Sequence, residues 1–149
     1  YMKLMNNLSV ETILESYKKQ GFNEYQLEFL EKCLNEGIEV SQFANKDYAV
    51  EQMKLLCNAR KRGIDISLAT QYDFSIDQMQ HIISGLSMGV DASVYALPKY
   101  KATQMSVIKH AMHDGLDLEY FLDEKQSYVD LWYEYTQRSQ AKKRGTQAA

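Results

Sequence analysis

The chain has one proline, Pro98, and two cysteines, Cys33 and Cys57, in 149 residues. So little proline argues against a strand-and-turn architecture and leaves helices free to form. Two cysteines in no zinc or redox spacing point to a reduced, cytoplasmic chain. Apolar runs are only a few residues long, so no membrane-bound role is expected, and the amino end lacks a secretory pattern. Charge of one sign is also scarce. Seventeen basic against twenty acidic side chains leave a formal −3, which gives no general attraction to phosphate. What remains, 45% hydrophobic and 25% charged, suits one folded domain with a continuous core. The sequence begins with Tyr1, which reads as a trimmed chain or a piece of a longer one.

Against these absences stands a rhythm. Gln26, Gln52, Gln78 and Gln104 recur every 26 residues, and so do Gly37, Gly63, Gly89 and Gly115. A fixed period of this length marks stacked supersecondary units, each burying its apolar face on its neighbours.

The unit from Phe74 to Leu97 shows the physics. Ser75 and Gln78 have the spacing of a capping box, as do Asn23 and Gln26, whereas Ala49 and Lys101 supply no side-chain cap. Met79, Ile82 and Leu86 then make one apolar stripe, with Leu27, Met53 and Met105, then Leu30, Leu56 and Ile108, in register. The series Cys33, Ala59, Gly85 and Ala111 is always small, which would let the next repeat approach closely. Each periodic glycine fits the left-handed end of a helix, and Ile38, Ile64, Val90 and Leu116 supply the apolar contact after it. Glu39, Asp65, Asp91 and Asp117 are placed to cap a second, shorter helix. Its inward residues would include Val40, Ile66 and Leu118, with Phe43, Tyr95 and Phe121 one turn on. Phe22, Tyr48, Phe74 and Tyr100 precede the long helices and read as wedges between repeats.

The rhythm breaks at both ends. Val10, Ile13, Leu14 and Tyr17 form a one-sided helix ending at Gly21, giving a capping segment over residues 1–21. The four repeats occupy 22–122. Over 123–149, Asp123 and Gln126 have capping-box spacing before a last helix carrying Tyr128, Leu131, Trp132 and Tyr135. The basic tail with Arg138, Lys142, Lys143 and Arg144 is expected to fray.

The string Phe74, Gln78-Met79, Ile82, Gly85-Leu86, Gly89-Val90-Asp91 and Tyr95-Ala96 resembles a helical repeat of uncharacterised Firmicutes proteins often linked to mobile elements. The resemblance covers residues 22 to 122. The second repeat departs from it at Arg60 and Ala69. It implies no activity, cofactor or catalytic residue.

Candidates for chemistry are few. His110 and His113, three apart with Asp114 and Asp117 nearby, have the spacing of a metal pair, but their register-mates are polar throughout, which favours a solvated face. His81 reads as a partly buried packing residue. Cys33 serves as a small hydrophobe, and Cys57 occupies a position that tolerates anything: Glu31, Ile83 and Lys109 share it. No glycine-rich phosphate loop occurs. Lys54, Arg60, Lys61 and Arg62 form a basic cluster late in the second long helix, but the positions of Lys61 and Arg62 become Ser87 and Met88, then His113 and Asp114. A one-unit-per-base code would need common chemistry there.

The expectation is therefore an all-α protein, a short α-solenoid of four long-helix-plus-short-helix repeats capped at both ends. It is read as a non-enzymatic module that needs no cofactor or metal and binds a protein or peptide, with nucleic acid as the less favoured alternative. Lys54, Lys61, Arg62, Met88, His110 and His113 are the candidate partner-binding residues.

Overall fold

Helices start in this protein where a side chain or backbone geometry can answer the first free N–H groups. The computed structural model describes the backbone of residues 2–148 and the side chains of residues 10–145. Asn23 Oδ1 accepts from the Gln26 N–H at 2.9 Å while Gln26 Oε1 accepts from the Asn23 N–H at 2.8 Å. Ser75 and Gln78 make the same reciprocal pair. At Ala49 only the glutamine half survives, with Gln52 Oε1 accepting from the Ala49 N–H.

The described residues are all helix, turn and loop, with no strand. The elements are α1 (Met2–Lys19), α2 (Glu24–Asn35), α3 (Val50–Lys61), α4 (Ser67–Thr70), α5 (Ile76–Met88), a 3₁₀ turn (Ala92–Val94), α6 (Ala102–His113) and α7 (Tyr128–Ala148). They fall into two compact units, Tyr1–Gly63 and Ile64–Ala149.

In the first unit α1 packs on α2, and α2 on α3. Its buried side chains include Leu30, Cys33, Val40, Phe43, Met53 and Leu56. Tyr17 closes on Phe22 at a ring distance of 4.9 Å, so the chain leaving α1 is pinned beside the entrance to α2. In the second unit α4 and the 3₁₀ turn pack on α5, α5 on α6, and α6 on α7. Its core includes Phe74, Met79, Ile82, Tyr95, Met105, Ile108 and Phe121. The four aromatics ahead of the long helices, Phe22, Tyr48, Phe74 and Tyr100, are all buried.

All four periodic glycines have positive φ, between 71° and 82°. The residue after the glycine closes the helix by donating five residues back: Ile38 to the Cys33 carbonyl, Val90 to Gly85, Leu116 to Ala111.

Four expectations need correction. The short second helix exists as one α turn at Ser67–Thr70 and as the 3₁₀ turn at Ala92–Val94, but residues 39–44 and 117–122 hold only turns and loop. The acids still act: Glu39, Asp65, Asp91 and Asp117 each accept the backbone N–H two residues on. The last helix begins at Tyr128, with Ser127 Oγ accepting from the Asp130 N–H. Asp123 and Gln126 instead close a turn before it. The basic tail does not fray at Arg138, because α7 continues as helix through Ala148.

The fourth correction concerns Gly85 within the small-residue series, since Cys33 does meet the next long helix at Cys57. A Cβ on Gly85 would lie 1.9 Å from the Tyr95 hydroxyl, so the space there belongs to a side chain of the same repeat rather than to the next helix. That hydroxyl donates to the His81 carbonyl at 2.6 Å. The register-mates Phe43 and Phe121 lack a hydroxyl, and their repeats carry Cys33 and Ala111 where this one has glycine.

Candidate binding groove

Two helical ridges face each other across an open groove of about 780 Å³ in the first unit. The α2 ridge presents Tyr25, Glu28, Lys32 and Glu36 at three- and four-residue spacing. The α3 ridge presents Glu51, Lys54, Asn58 and Lys61. Cys33 and Cys57, each 2% exposed, lie at its buried base, with the half-buried Phe29 beside them. Three glutamates and three lysines line the walls, so the groove has both charge signs and little net charge.

The charges are partly committed. Lys61 Nζ lies 3.3 Å from Glu36 Oε2 across the groove, and the hydrogen bond and charge of Glu36 hold the exposed Lys61 ammonium above the ordinary lysine pKa. Arg60 donates to the Glu39 carbonyl. Glu39 itself is held below the usual carboxylate range, chiefly by the Ser41 backbone N–H.

The candidate residues separate. Lys54 and Lys61 line this groove, while Arg62 is exposed at the carboxyl end of α3 and outside the lining. Met88, at the end of α5, is half-buried with its sulfur 3.8 Å from Ser84 Oγ. His110 is covered by α7. Its ring meets Trp132 and Tyr135 edge-on at 6.2 and 6.0 Å, and Nδ1 donates to the Ser106 carbonyl at 2.7 Å. His113 is exposed, 3.6 Å from Asp114 Oδ1.

The expected solvated face at this position therefore does not hold for His110, and the two histidines point to different neighbours. Asp114 serves α7: Oδ2 accepts from Tyr135 Oη at 2.5 Å and Ser139 Oγ at 3.0 Å. Lys142 Nζ adds a bond to the Asp114 carbonyl at 2.5 Å. Among the described residues no group of three or more His, Cys, Asp or Glu side chains has metal-binding geometry. No helix among them is long and apolar enough to cross a membrane.

Sequence reasoning missed two groupings. The position of Cys57 is exposed at Glu31 but buried at Cys57, Ile83 and Lys109. Lys109 Nζ reaches His81 Nδ1 and Ser84 Oγ, both at 3.2 Å, with no carboxylate among its bonds. Burial lowers the Lys109 pKa, and burial followed by the Lys109 charge lowers that of His81, whose half-buried placement agrees with its reading as a packing residue. Cys33 and Cys57 meet with their sulfurs 3.8 Å apart. The contact offsets between successive long helices scatter around the 26-residue period, 24 for Cys33–Cys57, 25 for Ser84–Lys109 and 28 for His81–Lys109, so the period alone does not pick out these partners. A third feature is exposed: Tyr128, Val129, Trp132 and Tyr133 crowd the first turns of α7. Of the residues that the sequence places on the last helix, Leu131 is buried, Tyr128 is exposed, and Trp132 is partly exposed with its ring against His110.

Comparison with protein-family models, with curated proteins and with solved structures returns no match.

Proposed function

We propose that this chain is a non-enzymatic interaction module, a short solenoid of four 26-residue repeats with capping helices, that binds a protein or peptide in the groove between α2 and α3. One observation carries the reading: frame positions repeat while groove positions do not. The glutamines and positive-φ glycines recur at every step. The groove ridge Tyr25, Glu28, Lys32 and Glu36 becomes Glu51, Lys54, Asn58 and Arg62 one repeat later, then Asp77, Gln80, Ser84 and Met88. A scaffold that varies its exposed ridge on a constant frame is suited to specific recognition. The groove's mixed charges, with Phe29 at its base, fit a peptide carrying both charge signs and one apolar side chain. Membership in the Firmicutes repeat family is part of the same proposal and rests on the repeat string itself.

Nucleic acid is the alternative partner. It has weaker support, because Lys61, Arg60, Arg138 and Lys142 are engaged with Glu36, the Glu39 carbonyl, Glu134 and the Asp114 carbonyl. The test is an affinity pull-down from bacterial lysate with and without nuclease, run beside a Lys54→Glu variant. A protein that survives nuclease and is lost with Lys54→Glu supports the groove reading. Partners that vanish with nuclease overturn it in favour of nucleic acid.

A further inference from the structure

Cys33 on α2 and Cys57 on α3 stand 24 residues apart in the sequence, yet their sulfurs are 3.8 Å apart. Both are free thiols, each 2% exposed, and both line the base of the open groove. They occupy different register positions of the repeat: Cys33 aligns with Ala59, Gly85 and Ala111, and Cys57 with Glu31, Ile83 and Lys109. No single packing demand of the repeat calls for sulfur at both.

We propose that Cys33 and Cys57 are a dithiol modification site, closing to a reversible disulfide that staples α2 to α3 when the protein meets a hydroperoxide. The sulfurs need only move from van der Waals contact to the roughly 2.05 Å of an S–S bond, which rotation about the two Cα–Cβ bonds can begin. This inference is independent of the partner reading, since it concerns the base of the groove and no ligand.

The chemistry balances without a metal or a bound cofactor. Cys57 lies one helical turn before Lys61, which is ion-paired with Glu36. Cys57 loses its proton to solvent and attacks one oxygen of the hydroperoxide. An S–O bond forms, the O–O bond breaks, and the departing alkoxide or hydroxide takes up a proton. Cys33 is the second thiol: burial, then the neighbouring Cys57, push its pKa up to about 12, so it waits in the protonated form. Its sulfur then attacks the Cys57 sulfenic acid. The S–S bond forms, the S–O bond breaks, and the Cys33 proton leaves with hydroxide as water. Two thiols and one hydroperoxide become one disulfide, one alcohol or water, and one further water.

The experiment uses the whole chain with hydrogen peroxide as probe, at low protein concentration, followed by alkylation under denaturing conditions. The expected product is a monomer two hydrogen masses lighter that takes up no alkylating reagent, with a peptide linking Cys33 to Cys57. Its melting midpoint should rise by roughly 6–12 °C, as a cross-link of this loop length implies, and fall back on reduction with dithiothreitol. A Cys33→Ala variant, which carries the residue that two other repeats use at this position, should show neither the mass change nor the rise. Two alkylated thiols after oxidation would overturn the proposal. So would sulfinic acid on one cysteine, or a bridge between two chains.

Discussion

The side-chain nitrogen of Gln26 donates to the carbonyl of Tyr48, 22 residues later, at 2.8 Å. Gln78 does the same to Tyr100, also at 2.8 Å. Gln26 adds the Lys46 carbonyl, and Gln104 bridges the Phe121 and Asp123 carbonyls, each at 3.0 Å. In α2 and α5 the oxygen of the same side chain accepts from the residue that starts the helix. Gln26 and Gln78 are thus two-ended clamps: one end caps its own helix, the other holds the loop that leads to the next.

Gln26→Glu separates the two ends. A glutamate keeps the acceptor for the Asn23 N–H but has no donor for Tyr48 and Lys46, whose carbonyls it would face with a negative charge. The expected loss is about 2–3 kcal/mol, for a buried bond broken and the buried Tyr48 acceptor stranded. It is read as a lower urea midpoint at constant slope. A midpoint within error of the parent would mean that the glutamine acts only as a helix cap.

Gly85→Ala and Gly89→Ala should fail for different reasons. At Gly89 a Cβ meets nothing within 4 Å, but φ is 82°, so the cost is the backbone conformation alone, about 1 kcal/mol. At Gly85 the Cβ would collide with the Tyr95 hydroxyl, costing about 1–3 kcal/mol. Tyr95→Phe should therefore rescue Gly85→Ala in part and leave Gly89→Ala untouched. A double-mutant cycle by thermal melting checks this, with equal additivity at both glycines as the contrary result.

Asp114 makes the attachment of α7 sensitive to acid. Burial works to raise its pKa, but the bonds from Tyr135, Ser139 and His113 outweigh burial and hold it below the ordinary carboxylate value of 3.8. The folded state therefore binds this proton less readily than the unfolded chain. Its contribution is complete above about pH 4 and is lost as pH falls through the depressed folded value. Asp114→Asn should reduce hydrogen-exchange protection of α7 at neutral pH and flatten the acid limb of the stability curve. Unchanged protection of residues 131–142 would show that α7 is held by its apolar face alone.

Lys109 is the opposite case, a buried ammonium whose folded pKa lies below the ordinary 10.5. Between those two values the unfolded chain holds the extra proton, so stability rises with pH across that window. His81, lowered from 6.5, adds a second rise as pH climbs through the window just beneath that value. Lys109→Met places an apolar side chain where Cys57 and Ile83 sit in the other repeats, and should stabilise by up to about 1 kcal/mol at pH 7. It should also abolish the alkaline rise. Urea midpoints at pH 7 and pH 10 decide the matter, and a variant weaker than the parent at both would mean that the bonds to His81 and Ser84 outweigh the buried charge.

Much of the backbone plan was legible in the residues themselves. Helix starts at Asn23 and Ser75, helix stops at the four glycines, and the buried aromatics before each long helix depend on interactions within five or six residues, which local chemistry dictates. The candidate site was legible only in part. Lys54 and Lys61 share a groove because α2 and α3 set two ridges opposite each other, and Tyr25, Glu28 and Glu36 belong to it for the same reason. His110 looked solvated by register, but α7 covers it, and α7 lies outside the repeat that supplied the register.

The sequence by itself determined the all-helical class, the 26-residue step and where most long helices begin and end, since capping, periodicity and positive φ are local matters. Only the tertiary structure decided that Cys33 meets Cys57, that Lys109 is buried against His81, that Gly85 makes room for Tyr95, and that Asp114 anchors α7. Each of these pairs two positions whose separation is set by how neighbouring elements are offset in packing, and a repeat period fixes which residues are equivalent without fixing which of them touch.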